Sequence, residues 1–307
     1  MTAAVDAMVL GREANARLVA DTRRLYLSGS RAFAPGCVVV GDEVYVLANS
    51  DDSVPGGFPT DHLFGITWNP AKLGAALAAI PGLRDARRIA VDGMTPMMYT
   101  LLTSVAPNCE LVDAEEVLRQ LRVADTARQA GVHAALETAR AAIVEMAGEL
   151  RAEVPIRKVR GACAKAFARY GMTTAAFEAV VAPLNPVSTW LSPDRRIGDG
   201  EVVVLRAGAL RDGWEGSLAR TYAVHREGAS EVAPPTGWDD VLLACQAGTA
   251  VRELTERGAR LHGVGRGIEP ITDDDVLGAG GAYSVELKDS TGVRQDVVFV
   301  DETTTNE

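Results

Sequence analysis

Residues 198–221, GDGEVVVLRAGALRDGWEGSLART, decide how this chain is read. They predict two strands joined by a short connection, with Gly208 and Gly213 marking the turn region. Val202, Val203, Val204 and Leu205 form an unbroken apolar run, which suits a strand buried on both faces. Successive side chains on a strand point to opposite faces. Val202, Val204 and Arg206 therefore share a face, and an arginine closes an otherwise apolar row. On the next strand Glu215, Ser217, Ala219 and Thr221 share a face in the same way.

Upstream of this pair, residues 1–120 read as a small α/β domain. Short strands are expected at Arg24–Leu27, Cys37–Val40, Val44–Leu47, Arg88–Val91 and Glu110–Val112, the second and third split by a Gly41-Asp42 hairpin signal. Helices are expected at Lys72–Ile80 and at Pro96–Val105, the latter opened by proline. A helix or helix pair spans about Ala114 to Arg151, with Val132, Leu136, Ala139, Ile143, Met146 and Leu150 forming an apolar stripe. A helix over Lys158–Tyr170 and a strand over Phe177–Val181 then lead to the central pair. Downstream, one long helix is expected over Trp238–Gly258, followed by strands at Ala282–Leu287 and Val297–Val300.

Composition narrows the function classes. A formal net charge of −10 leaves no basic excess to neutralise phosphates, which argues against a nucleic-acid or anionic-membrane partner. No apolar run approaches the ~18 residues of a membrane span, and the N-terminus lacks the basic start and apolar core of an export signal. Cys37, Cys109, Cys163 and Cys245 are scattered without CxxC spacing, as reduced thiols of a cytoplasmic protein would be.

The central stretch resembles the signature of the creatinase, aminopeptidase P and prolidase family, the pita-bread metallopeptidases. Gly198-Asp199, Gly208-Ala209, Gly213-Trp214 and Arg220-Thr221 fall in register with it. The resemblance implies an α+β chain: a creatinase-type α/β N-terminal domain over residues 1–120, then a pita-bread domain over 121–307. It also implies a homodimer, and leaves open whether His62 reaches a neighbouring subunit's site.

Family enzymes hold two metal ions with two aspartates, a histidine and two glutamates. The aspartate positions correspond here to Arg206 and Ser217, and the histidine position to Arg266 in Gly265-Arg266-Gly267-Ile268. One glutamate survives as Glu286, and the other position is Gln295, unless the register slips to Asp296. A guanidinium stays charged under ordinary conditions, so a dinuclear centre is not expected to form beside it, and no metal or other cofactor is expected. The histidine that precedes the Gly-Asp pair in the family corresponds to Trp190, or to Thr189. His262 matches a histidine placed beside the substrate, and Tyr283 lies on the same strand as Glu286.

Glu286 and His262 are therefore the candidate catalytic residues, with Arg206, Arg266, Ser217, Trp190, Gln295 and Tyr283 as candidate ligand-binding residues. Three functions remain open: a protein that binds a small acid or peptide-like ligand without turning it over, a metal-independent C–N hydrolase or lyase acting on a small acid, and a structural interaction protein. An internal Arg206–Glu286 pair would fill the vacated pocket; an arginine clamp would instead present guanidinium donors to a carboxylate.

Overall fold

A computed structural model describes residues 5–22, 35–48, 54–65, 67, 69–93, 95–172, 175–185 and 191–301. The strand expected at Arg24–Leu27 and the site residue Trp190 lie outside the described residues. The chain divides into two compact units, 1–125 and 126–307.

The first unit runs β1 (Ala7–Leu10), α1 (Glu13–Ala20), β2 (Cys37–Val40), β3 (Glu43–Ala48), β4 (Leu63–Gly65), α2 (Pro70–Ala79), β5 (Arg88–Asp92), α3 (Pro96–Val105), β6 (Glu110–Asp113) and α4 (Glu115–Ala124). Its six strands form one mixed sheet in the order β4-β3-β2-β1-β5-β6. Central strand β1 is buried throughout and alternates between two cores. Ala7 and Val9 pack among residues of α2 and α3, whereas Met8 and Leu10 pack among residues of α1 and α4. Helices thus cover both faces of the sheet. Helix α2 begins two residues before the expected Lys72, because the Asn69 side chain caps it and Pro70 fits its first turn.

The second unit runs α5 (Arg128–Gly148), α6 (Ile156–Arg169), β7 (Val180–Pro183), β8 (Val202–Arg211), β9 (Trp214–Val224), β10 (Ala229–Glu231), α7 (Trp238–Ala244), α8 (Val251–Glu256), β11 (Arg260–Val264), β12 (Ile268–Glu269), β13 (Ala282–Lys288) and β14 (Val293–Phe299). These strands form an antiparallel sheet in the order β12-β11-β13-β14-β9-β8-β7, with β10 added beside β9. Val203, Leu205, Ala207 and Leu218 share a core with Val132, Leu136, Ala139 and Met146, so the apolar stripe of α5 lies on one face of β8 and β9. A second core gathers Trp238, Val241 and Leu254 from α7 and α8 with Val285 and Leu287 from β13.

Several sequence expectations are corrected. Gly208 is not in the turn: β8 runs on to Arg211, and Asp212-Gly213 turns the hairpin with φ values of 49° and 82°. A Cβ at Gly208 would come within 2.2 Å of the Phe177 ring, so close approach accounts for that glycine. The helix expected over Trp238–Gly258 is broken into α7 and α8, with Gly248 at φ 85° between them. Phe177 precedes β7 instead of opening it, and β14 begins at Val293, four residues before the expected Val297. Of the two forms expected over Ala114–Arg151, the chain takes the helix pair, with α4 in the first unit and α5 in the second.

Candidate functional site

The sheet register brings residues far apart in sequence onto one face. Arg206 on β8 lies opposite Ala219 on β9, and Gly208 lies opposite Ser217. Ala219 in turn lies opposite Gln295 on β14, and Gln295 opposite Glu286 on β13. His262 on β11 is the partner of Ser284, two residues before Glu286. Directly opposed residues and residues two apart share a face. Arg206, Ser217, Gln295, Glu286, Ser284 and His262 therefore form one set. The register also decides between Gln295 and Asp296: Asp296 is the partner of Val285, on the alternate face.

Within the set, Arg206 Nη1 donates to the Glu286 carboxylate and, at 3.1 Å, to Gln295 Oε1. Gln295 Nε2 donates to Ser217 Oγ at 3.2 Å and to Ser284 Oγ at 2.8 Å. Gln295, Ser217 and Ser284 are buried. The Arg206 side chain keeps 27% of its surface exposed, so the ion pair is only partly sealed from solvent. Among the described residues, Arg206 makes its hydrogen bonds through Nη1 alone. His262 is largely shielded. Burial pushes its pKa down and the Glu286 carboxylate pulls the other way, so the ring is neutral near pH 7.

Two expected site residues are placed elsewhere. Arg266 stacks its guanidinium over the Trp214 ring, 3.8 Å from its centroid. Of the two arginines expected to clamp a ligand, Arg206 is the one hydrogen-bonded into the set with Glu286 and Gln295, and Arg266 lies on an aromatic face. Trp214 itself fits into a notch at Gly131 of α5, where a Cβ would meet the indole at 2.3 Å. Tyr283 alternates with Ser284 and packs with the core beneath α7 and α8. Its hydroxyl accepts from the Gly278 N–H at 2.8 Å, and its ring closes against Gly281. Tyr283 is a packing residue because strand alternation turns it away from Glu286.

Among the described residues, no group of three or more His, Cys, Asp and Glu side chains converges as a metal-binding set. The donor set does not fit a pair of divalent cations, since the surviving carboxylate, Glu286, is hydrogen-bonded to a guanidinium. Arg220-Thr221 has a structural role. Thr221 Oγ1 donates to Val293 O at 2.9 Å and accepts from Val293 N at 2.8 Å. Arg220 binds Asp296 Oδ1 and Gln295 O, both at 2.7 Å. These side chains tie β9 to β14 and so hold Gln295 against the central pair. Sequence reasoning missed Ser284, which its spacing of two from Glu286 could have revealed.

Residues 130–293 match the model of metallopeptidase family M24, and residues 2–124 match the creatinase/prolidase N-terminal domain. The chain belongs to family M24. Its architecture is accordingly an M24 pita-bread domain preceded by a creatinase-type N-terminal domain. Similar solved structures cover nearly all of this M24 chain. Prolidase from Pyrococcus furiosus is 18% identical with a TM-score of 0.70, over 97% of this chain and 92% of that one. Xaa-Pro dipeptidase from Bacillus anthracis is 17% identical with a TM-score of 0.66, over 96% and 90%. X-Pro aminopeptidase from Thermotoga maritima MSB8 is 14% identical with a TM-score of 0.61, over 97% and 93%. At such identities the likeness establishes the fold. No curated protein matches the chain.

Proposed function

We propose that this M24 chain is a metal-independent protein that binds a small carboxylate-bearing or peptide-like ligand on the sheet face at Arg206. The observation that carries the reading is the way Arg206 is held: Nη1 is spent on Glu286 and Gln295 while the side chain as a whole stays 27% exposed. A guanidinium has five N–H donors, and an anchored one offers two parallel bonds to a carboxylate with little ordering cost. A tightly sealed ion pair would instead favour a purely structural protein. The peptide-like part of the proposal draws on neighbours described as Xaa-Pro dipeptidase and X-Pro aminopeptidase. We further infer a cytoplasmic location, in keeping with four free cysteines, and a homodimer, which the family resemblance implies.

A second reading, a metal-independent hydrolase or lyase acting on a small acid, is favoured by His262. A neutral imidazole on the face that carries Arg206 and Glu286 is a suitable general base.

Titration calorimetry of small carboxylates and dipeptides, followed by product analysis, tests both readings. Arg206→Ala should weaken binding of an anionic ligand at least about tenfold, the value of a charge-assisted hydrogen bond. Wild-type protein that binds none of these, with Arg206→Ala merely lowering thermal stability, would leave the structural-plug account standing. Turnover lost in His262→Gln while binding persists would select the enzyme.

A further inference from the structure

Gln295 lies among the site residues, yet its bonds are all directed inward. Arginine is donor-only, so the amide atom facing Arg206 Nη1 at 3.1 Å has to be the oxygen. The amide nitrogen then faces the two serines, Ser217 Oγ at 3.2 Å and Ser284 Oγ at 2.8 Å, and both of its protons are used. The chemistry of Arg206 thus determines the amide orientation without recourse to observed hydrogens. All three polar side chains beneath Arg206 are buried, with Gln295 6% exposed, Ser217 2% and Ser284 1%. A ligand reaching Arg206 from solvent therefore meets the guanidinium, while Gln295 acts from behind.

From this geometry we propose that Gln295 is a positioning residue. Its amide, oriented by Ser217 and Ser284, locks Arg206 Nη1 beside Glu286 and aims Nε and Nη2 outward as the ligand-binding edge. The proposal deepens the carboxylate-binding reading and rests on it for the ligand, but the positioning itself is independent of any ligand. Two properties of glutamine at this position matter. Its oxygen is a second acceptor for Nη1, so the guanidinium is not free to pivot on Glu286 alone. Its neutrality leaves Arg206 and Glu286 as a balanced pair. A glutamate at 295 would keep the acceptor, since serine hydroxyls can rotate to donate, but would put a second negative charge beside Arg206 and oppose an incoming carboxylate.

The test compares wild-type protein with Gln295→Met, Gln295→Glu and Arg206→Lys. One readout is the arginine side-chain nitrogen NMR spectrum without ligand, in which the signals lost in Arg206→Lys identify Arg206. The other is benzoate affinity by titration calorimetry. Restrained, separately resolved Arg206 Nη signals are expected in wild type and in Gln295→Glu, and motionally averaged ones in Gln295→Met. Benzoate affinity should fall about tenfold in both Gln295 variants. Arg206 signals unchanged in Gln295→Met would overturn the proposal, whatever benzoate does. Restrained wild-type signals that average in Gln295→Met, with no benzoate binding anywhere, would uphold the positioning and sink the ligand reading instead. Should Gln295→Met fail to fold, the double variant Ser217→Ala/Ser284→Ala removes the amide's anchors. Averaged Arg206 signals are then expected, and unchanged ones overturn the proposal.

Discussion

At the scale of single residues, His262 shows how the site couples charge to stability. Burial holds its folded-state pKa below the ordinary value of about 6.5, only partly offset by Glu286. The unfolded chain therefore binds a proton that the folded chain resists. The stability His262 contributes is complete above about pH 6.5 and is lost as the pH falls through the depressed folded value. His262→Gln should flatten this dependence. Urea unfolding at pH 7.5 and pH 5 would show wild type losing more stability than the variant across that interval, and equal losses would contradict the assignment. Arg266 is held differently, with its guanidinium stacked on the Trp214 ring.

At the scale of elements, the site depends on how closely α5 lies on the central hairpin. Gly216 is the contact that sets this spacing: a Cβ there would reach Leu136 N at 2.4 Å and Ala135 C at 2.7 Å. Both are helix backbone, so no side-chain rotation relieves the clash and α5 itself has to shift. Gly216→Ala should cost about 1–3 kcal/mol, the range for overpacked cores, and lower the urea midpoint. An unchanged midpoint would mean that the helix yields freely. Gly131→Ala would meet a buried ring instead of backbone, with Cδ2, Cγ and Cδ1 of Trp214 at 2.3, 2.4 and 2.5 Å. On the far side of the hairpin, β9 and β14 share the single register pair Gln295–Ala219. The Arg220 and Thr221 side chains add ties to the one that Gln295 makes to Ser217, which gives that dipeptide a role independent of any metal.

For the molecule as a whole, the positions that the resemblance assigns to a metal centre are spread over β8, β9, β13, β14 and the turn after β11, and the sheet register brings those at 206, 217, 286 and 295 onto one face. The four-fold variant Arg206→Asp, Ser217→Asp, Arg266→His, Gln295→Glu would add to Glu286 the complete ligand set that the resemblance implies. Incubation with manganese, dialysis and elemental analysis should find roughly two ions per variant chain and essentially none in wild type. Retention by wild type of a comparable amount, lost on Glu286→Gln, would refute the metal-independent reading. The two units keep separate cores, the first around β1 and its flanking helices and the second around α5 and the central hairpin. Changes at the four positions therefore fall within one unit's packing.

By itself, the sequence determined the central hairpin, the family signature around it, and the presence of arginine and serine where the resemblance implies the two aspartates. It also determined which residues of β8 and β9 share a face. These features are local: alternation and turn chemistry act within a few residues of one another. Folding decided the rest. The acid that neutralises Arg206 lies 80 residues away, and its choice depends on the register of β13 and β14. Likewise, Arg266 went to Trp214, Gly208 was claimed by Phe177, and the helix expected after Trp238 broke in two. Each outcome turns on which surfaces meet in space, and apolar periodicity along the chain carries no information on that choice.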